Sequence, residues 1–599
     1  MSINAILIAN RGEIAVRIIR ACRLLGLRSI AVHSEADEGA LWTRLADEAR
    51  PIGPAPARDS YLSIENLIAA ANAAGADAIH PGYGLLSEST EFAHAVEAAG
   101  LVFIGPSPQA IARMGDKVTA RMAAQEAGVP VLPGSDGPVS DIGEALAAAS
   151  RIGWPIAVKA SFGGGGRGMR IAREEADLES AMAQASREAQ AAFGRSEIYL
   201  ERYLDRPRHV EVQILGDTHG HVVHLGDRDC SVQRRHQKLI EEAPAPALPE
   251  ALRAQILAAA VDLASKEAYH GAGTVEFLVD HACEEFFFLE MNTRLQVEHG
   301  VTEMVTGIDI VCQQISIASG EPLAFSQADV RINGCAIQAR IAAEDPWENF
   351  RPTPARLTGL ELPLGPWLRL DFGVEAGDTI PPHYDSMFGK IQAWGATRED
   401  ARTRLGAALG ALQVSGPATT APFLQQVIGQ SEFAAMAHHT ASLESDWQPR
   451  LLADRPDAAP ASKHGIGPLA TTSPAEPAAA LSRVVRVPWG GSHGTIAIFR
   501  PASASDSSFQ LTSVDSGQAT LSGNAETGPQ VLAPMDAAVA HVTASVGSTV
   551  ARGETILVLE AMKMEVTIVA PHDGTVTEVC VAAGEAVRSG SLLAVVVAD

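Results

Sequence analysis

Short apolar runs alternate with alanine-rich, helix-periodic stretches through the first hundred residues. Ile3–Ala9 reads as a strand, Glu13–Leu25 as a helix ending before Gly26, and Ser29–His33 as the next strand. Ala76–His80 and Val102–Ile104 repeat the strand signal. Strands separated by helical stretches predict a parallel α/β sheet. Met114-Gly115-Asp116 opens a further helix, capped by Asp116 and stopped at Gly128-Val129-Pro130. A segment from about 131 to 203 holds the glycine cluster Gly163-Gly164-Gly165-Gly166-Arg167-Gly168, and from about 204 to 447 the pattern is richer in strands.

Two of those strand patterns carry polar residues on one face. Thr274–Val279 and Phe286–Met291 read as a hairpin with its turn centred near 283, which sets Glu276 opposite Glu290. Like charges directly opposite are destabilising. A divalent cation between them removes the repulsion, and hard oxygen ligands suit Mg²⁺ or Mn²⁺. Two solvated carboxylates on an outer face are the plain alternative; the apolar neighbours Phe277, Leu289 and Met291 weigh against it. Further on, Glu290, Asn292, Arg294, Gln296 and Glu298 fall at every second position, so an extended chain would line all five along one side. That row fits a site for an anion and a base. His209, Glu211 and Gln213 alternate in the same way with Val210, Val212 and Ile214. The basic run Arg234-Arg235-His236-Gln237-Lys238 reads as a local positive pocket for phosphate or bicarbonate, because the chain around it is acidic. The glycine cluster comes after a strand ending in Lys159 but matches neither the P-loop nor Gly-x-Gly-x-x-Gly, so a lid over a nucleotide is one of several options for it.

Between about 452 and 485 the composition shifts to Ala, Pro, Ser and Thr, which reads as a linker. Short segments at Val484–Val487, Thr495–Phe499 and Phe509–Thr512 suggest a few small strands, and a last domain begins near Val531. That domain repeats itself at an offset of 37: Ala533-Pro534-Met535-Asp536 recurs as Ala570-Pro571-His572-Asp573, and Gly547 and Gly553 recur as Gly584 and Gly590. Two such halves predict a pseudo-twofold flattened β-barrel or sandwich. Between them lies Glu560-Ala561-Met562-Lys563-Met564-Glu565. A hairpin there presents Lys563 at its tip as an accessible amine for a modifying enzyme. Most lysines flanked by methionine are ordinary surface residues; the repeat, and the placement of this one at its junction, set it apart.

Composition narrows the class. A chain of 599 residues predicts several domains, and 46% hydrophobic with 20% charged residues is ordinary soluble composition. A net charge of −25 argues against nucleic acid and against anionic membrane surfaces as partners. The six cysteines form no Cys-x-x-Cys pair, which points to reduced thiols rather than a zinc site or a disulfide scaffold. Ile3–Ala9 is too short for a signal peptide, and no apolar run approaches the roughly 18 residues of a membrane span. The expected location is the cytoplasm.

Ala561-Met562-Lys563-Met564 in its repeat resembles the biotinyl domains of biotin-dependent carboxylases, over about 531–599. Ala9-Asn10-Arg11-Gly12-Glu13-Ile14-Ala15, His80-Pro81-Gly82-Tyr83-Gly84, Met114-Gly115-Asp116-Lys117, the run Arg228 to Arg235 and the run Glu290 to His299 resemble the biotin carboxylase component, an ATP-grasp enzyme, over roughly 1–447. The whole layout is similar to the α subunits of acyl-CoA carboxylases. The resemblance implies an α/β and α+β chain. Its parts would be a Rossmann-like N-terminal subdomain at 1–115, an ATP-grasp region at 116–335 with a lid at 131–203, and a C-terminal subdomain at 336–447. After these would come a linker with a small strand-containing partner-docking region at 448–530 and an all-β biotinyl/lipoyl-like barrel-sandwich at 531–599.

The resemblance further implies ATP- and bicarbonate-dependent carboxylation of biotin attached to Lys563. Lys117, Lys159, Glu201, His209, Gln233 and His236 would hold ATP, with Gly164, Gly165 and Gly166 in the lid over it. Glu276, Glu290 and Asn292 would ligate the metal. Lys238, Arg294, Gln296 and the Val297 backbone would bind bicarbonate, which Glu298 would deprotonate for attack on ATP. Arg340 would stabilise the biotin enolate, and Tyr83 would lie near the biotin ring. Gly300 stands where the family usually has proline, which predicts a looser loop behind Glu298. The 448–530 stretch is too short for a carboxyltransferase, so a separate carboxyltransferase β subunit is implied, with a biotin protein ligase as a transient partner and a hetero-oligomer as the working state. Acetyl-, propionyl-, longer acyl- and methylcrotonyl-CoA all stay open as acceptors. Two other readings compete with this one: another ATP-grasp ligase joining a carboxylate to an amine, with a lipoyl-like tail, and a binding protein with a dead ATP site.

Overall fold

The computed structural model describes residues 3–135, 137–139, 141–160, 169–193, 198–280, 282–453, 481–489, 492–499, 530–535, 537–561, 564–588 and 590–598. The expected alternation opens the chain. Strands β1 (Ala5–Ile8), β2 (Arg28–His33), β3 (Glu48–Pro51), β4 (Ala78–His80) and β5 (Val102–Phe103) form one sheet in the order β3-β2-β1-β4-β5, with every pair parallel. Its central strand, β1, is buried along its whole length, as a strand covered by helices on both faces must be. The helix Gly12–Leu24 packs Ile14, Ile18 and Ile19 into the core beside it. The helix after Asp116 runs Lys117–Glu126, and the Asp116 carboxylate accepts from the backbone N–H groups of Val118 and Thr119. Those are two of the donors a helix start leaves free.

The next segment has its own small core. Strands β6 (Ile156–Ala160), β7 (Met169–Ala172) and β8 (Ile198–Arg202) form an antiparallel sheet under the helices Ile142–Ile152 and Glu175–Phe193, closed by Val158, Leu178 and Leu200. Gly164, Gly165 and Gly166 lie outside the described residues.

The largest sheet has eight strands: β9 (Arg208–Gly216), β10 (Val222–Arg234), β11 (Gln237–Ala243), β12 (Gly271–Val279), β13 (Phe286–Asn292), β14 (Cys335–Ala342), β15 (Leu368–Phe372) and β16 (Met387–Gly395). Their order is β13-β12-β9-β10-β11-β14-β16-β15, antiparallel throughout. The expected division at 335 falls at the start of β14, which pairs with β11 (Ile240↔Ala339). The sheet is therefore continuous across it, and both sides contribute to one polar face.

Residues 456–528 form a separate compact unit, within which Leu481–Trp489 and Ser492–Phe499 pair antiparallel. These strands contain the expected segments Val484–Val487 and Thr495–Phe499; Phe509–Thr512 lies outside the described residues. Of the linker expected at about 452–485, residues 454–480 lie outside the described residues. A helix, Gln448–Ala453, occupies its start, and its end is already strand.

The last domain is two four-stranded antiparallel sheets around an apolar core that includes Val539, Leu557, Leu559, Val576 and Val596. The repeat explains the arrangement. Ala537–Val542 sits in one sheet and its counterpart Gly574–Val579 in the other; Thr549–Val550 and Ala586–Val587 are exchanged in the same way. The hairpin ladder between the halves runs to Ala561↔Met564. Met562 and Lys563 lie outside the described residues. All six cysteines are free, Cys22 and Cys230 buried and the others half-buried, and no described helix is long and apolar enough to cross a membrane.

Candidate active site

The hairpin β12–β13 brings the two expected carboxylates together through an irregularity. Glu276 pairs with Glu290, but the next pair is Phe277↔Phe288, so Leu289 is an extra residue on one strand. The bulge leaves Leu289 exposed and turns Glu290 onto the face of Glu276. Glu276 is buried and has four donors. Lys238 Nζ (2.9 Å), Asn292 Nδ2 (2.8 Å) and Gln296 Nε2 (3.0 Å) reach Oε1, and His209 Nε2 lies 2.7 Å from Oε2. Burial opposes its ionisation, but Lys238 and His209 overcome that and hold its carboxyl well below the usual range. Burial, and then the charge of Glu276, push Glu290 the other way, towards keeping its proton. Two facing carboxylates of which one is under like-charge pressure, with the Asn292 amide beside them, make an oxygen donor set that suits a hard divalent cation.

Lys238 is the hub. It projects from β11 beneath Glu211 (2.5 Å), Glu276 and Glu298 (2.8 Å), and although burial works against its charge, Cys230 and these three carboxylates hold it far up. Of the basic run, Lys238 is the member that enters this cluster of carboxylates. Arg234 turns to the Asn349 side chain (2.7 Å) and stacks over Phe350, while Arg235 and His236 occupy the exposed turn with positive φ. To this cluster the run itself contributes one ammonium, because neighbouring residues of a strand face opposite ways; Arg228 and Arg340 supply further positive charge from β10 and β14.

The row from Glu290 to Glu298 does not stay extended. β13 ends at Asn292, and Glu298 has bridge-region rather than extended dihedrals (φ −84°, ψ 8°) just before the helix His299–Thr306. The five residues still converge, by contact rather than by strand period: Arg294 donates to Asn292 Oδ1 (2.8 Å), Gln296 Oε1 (2.9 Å) and Glu88 Oε2 (2.7 Å). Glu298 is completely buried. Lys238 reaches its Oε1 and Arg340 its Oε2 (3.0 Å). Burial favours the protonated acid, yet Lys238, Arg340 and Arg228 together hold Glu298 well below the usual carboxylate range. Arg340 is shared with Glu241 (2.5 Å).

Tyr83 donates to Glu13 Oε1, and burial with that neighbouring carboxylate raises its phenol well above normal. Lys159 pairs with Glu201, which also accepts from Arg121 (3.3 Å). Lys117 is exposed at the start of its helix and acts electrostatically on Glu290, and Gln233 is buried beside Lys238 across the β10–β11 hairpin.

Four groups at this site, Arg228, Glu241, Lys390 and Glu13, have no role assigned by the sequence pattern, although Arg228 and Glu13 lie in runs that carry the resemblance. Arg228, wholly buried, donates to Glu211 (2.5 Å), Gln213 (2.8 Å), Thr274 (3.2 Å) and Thr302 (2.9 Å). Glu241 holds Arg340. Lys390 donates to the Val297 carbonyl (2.6 Å) and pairs with Glu13 (3.0 Å). A lone lysine and Gln392, two apart in an otherwise apolar strand, are a faint local signal for Lys390.

Four family models match the chain in sequence: "Biotin carboxylase, N-terminal domain" at residues 2–111, "Carbamoyl-phosphate synthase L chain, ATP binding domain" at 116–326, "Biotin carboxylase C-terminal domain" at 338–445, and "Biotin-requiring enzyme" at 529–596. The biotin-dependent acyl-coenzyme A carboxylase alpha3 subunit of Mycobacterium leprae is 43% identical over 599 residues, covering 99% of this chain and 98% of that protein. The biotin carboxylase of Haemophilus influenzae is 51% identical over 432 residues, 72% of this chain and 96% of that protein. Among solved structures, the biotin carboxylase domain dimer of Hydrogenobacter thermophilus 2-oxoglutarate carboxylase, in complex with MgADP, ADP and bicarbonate, superposes with a TM-score of 0.69 at 44% identity, covering 76% of this chain and 99% of that one.

Proposed function

The chain belongs to the biotin-dependent acyl-coenzyme A carboxylase alpha subunits, and from that premise we propose how its residues divide the work. It is a biotin carboxylase, an ATP-grasp ligase with its own biotin carrier domain, and its chemistry draws on ATP, bicarbonate, Mg²⁺ and biotin. The observation that carries the residue roles is the wholly buried Glu298 carboxylate, held between Lys238 and Arg340 beside the Glu276–Glu290 pair.

Bicarbonate is an anion and competes with Glu298 for the same cations. Each contact that Lys238, Arg294 and Gln296 give to bicarbonate is withdrawn from a carboxylate around them, so the proton affinity of Glu298 rises as the substrate seats. Glu298 then takes the bicarbonate proton, the freed oxygen attacks the γ-phosphorus of ATP, ADP leaves and carboxyphosphate forms. Glu276, Glu290 and Asn292 would hold Mg²⁺, whose charge offsets that of the triphosphate. Lys117, Lys159, Glu201, His209, Gln233 and His236 bind ATP, and Gly164, Gly165 and Gly166 belong to the same nucleotide site. Biotin on Lys563 would supply the ureido nitrogen that accepts the carboxyl group, as carboxyphosphate gives up CO₂ and the released phosphate takes the proton of that nitrogen. Arg340 would stabilise the biotin enolate, and Tyr83 would lie near the biotin ring.

The carboxyl group goes on to a separate carboxyltransferase β subunit that acts on an acyl-CoA; the full-length likeness to a protein named an alpha subunit supports this. A methylcrotonoyl-CoA carboxylase alpha subunit of Arabidopsis thaliana is 49% identical over 452 residues, so acetyl-, propionyl-, longer acyl- and methylcrotonyl-CoA all remain within the proposal. Biotin protein ligase acts on Lys563 transiently. A cytoplasmic location accords with six unpaired cysteines. The decisive variant is Glu298→Gln, which keeps the shape and removes the base. Bicarbonate-dependent ATP cleavage is expected to vanish while ATP binding is retained; turnover at the parent rate sinks the assignment.

A further inference from the structure

Lys390 lies on β16 with no solvent exposure, directly across from Arg340 in the β14–β16 ladder. Two cations in facing positions repel. Here each has its own acid: Arg340 has Glu241 and Glu298, and Lys390 has Glu13. The lysine does more than balance Glu13, because its ammonium also donates to the Val297 carbonyl (2.6 Å). One residue earlier, the Gln296 carbonyl lies 2.7 Å from His299 Nδ1. Burial, and then Lys390, Arg369 and Arg17, hold His299 neutral, far below its ordinary range. A carbonyl only accepts, so Nδ1 carries the proton.

Two consecutive peptide carbonyls are thus tied down behind the loop. A trans peptide is planar, with C=O and N–H on opposite sides. Holding the Gln296 carbonyl therefore aims the Val297 N–H the other way, and holding the Val297 carbonyl fixes the plane from which Glu298 departs. The other end of the Lys390 contact is also shared. Glu13 Oε1 accepts from Tyr83 as well, the Lys390 ammonium lies 5.8 Å from the Tyr83 ring centroid, and Glu13 Oε2 has no partner among the described residues.

We propose that Lys390 is a positioning residue for bicarbonate: through the Val297 carbonyl it sets the backbone that receives the anion and carries Glu298, and through Glu13 it ties that backbone to Tyr83. The inference rests on the bicarbonate site proposed above. It is tested in the full chain with Lys390→Met and with the double variant Lys390→Met/Glu13→Gln, which removes both charges and so keeps the buried balance. ATP cleavage is measured against bicarbonate and against ATP. In both variants the KM for bicarbonate is expected to rise about 10-fold or more, the size of one lost charge-assisted hydrogen bond, with the KM for ATP within about twofold. A folded Lys390→Met with unchanged bicarbonate KM overturns the proposal. So does a double variant in which that KM returns to the parent value, because Lys390 would then only neutralise Glu13. If the single variant does not fold, the double variant decides alone. Glu298→Gln run alongside separates the two readings: retained turnover there removes the bicarbonate site itself, whereas loss of turnover there with unchanged KM here removes only the role of Lys390.

Discussion

His80 shows how far burial reaches at the level of one residue. It ends β4 with no solvent exposure, and its Nδ1 accepts from the Gly82 N–H at 3.0 Å. Burial, reinforced by the Arg17 charge and only partly offset by Gln314, pushes its pKa down to about 3. In the unfolded chain it titrates near 6.5. Between those values the unfolded state binds a proton that the folded state refuses, so stability is complete above the unfolded pKa and falls with pH through this window. His80→Asn keeps an acceptor for Gly82 and removes the titration. Its stability is expected to depend less steeply on pH between 6 and 4, by up to about 1.4 kcal/mol per pH unit. Urea midpoints at several pH values measure the slope; the same slope in both proteins would refute the assignment. The same physics sets the state of Glu298 and Lys238, where a single added anion changes the balance.

At the level of elements, the helix His299–Thr306 fixes the course of the chain beyond the base. Gly300 is the departure that predicted a looser loop, but it sits buried in the first turn, and a Cβ there would overlap the Gln392 side-chain oxygen. Gln392 is itself fully buried and is held by its Nε2 on Asp371 Oδ2 (2.9 Å). The absent side chain is thus filled by a neighbour, and the turn is packed rather than loose. Alanine for glycine ordinarily stabilises a helix interior by up to about 1 kcal/mol. Here Gly300→Ala is expected to destabilise by about 1–3 kcal/mol through overpacking. Combining it with Gln392→Ala should cost less than the sum of the two single changes. Strict additivity in urea midpoints would show that the two positions do not compete for space.

The whole molecule joins an ATP-grasp ligase to a carrier whose two halves exchange strands between sheets. Lys563 falls at the junction of the repeat, between the last ladder pair Ala561↔Met564. The prediction at this scale concerns covalent chemistry. The full chain co-expressed with a biotin protein ligase should gain one biotin by intact mass, mapped by peptide analysis to Lys563 and absent in Lys563→Ala. Lipoate at that lysine, or an unmodified chain, would instead favour an ATP-grasp ligase with a lipoyl-like tail.

Sequence alone determined what local periodicity and short-range geometry carry. Alternation gave the parallel sheet, a 37-residue offset gave the carrier's symmetry, Asp116 announced its helix, and counting from the turn near 283 placed Glu276 against Glu290. Each of these depends on residues close along the chain or on a repeat visible in it. Tertiary structure decided which way Lys238 points, and that the chain leaves the strand after Asn292 before reaching Glu298. It also decided that Arg228, Glu241, Glu13 and Lys390 complete the charge balance. Glu13 and Lys390 are 377 positions apart, yet they share a bond because the first helix packs against β16. No period along the chain encodes such a meeting; burial of both charges in one place requires it.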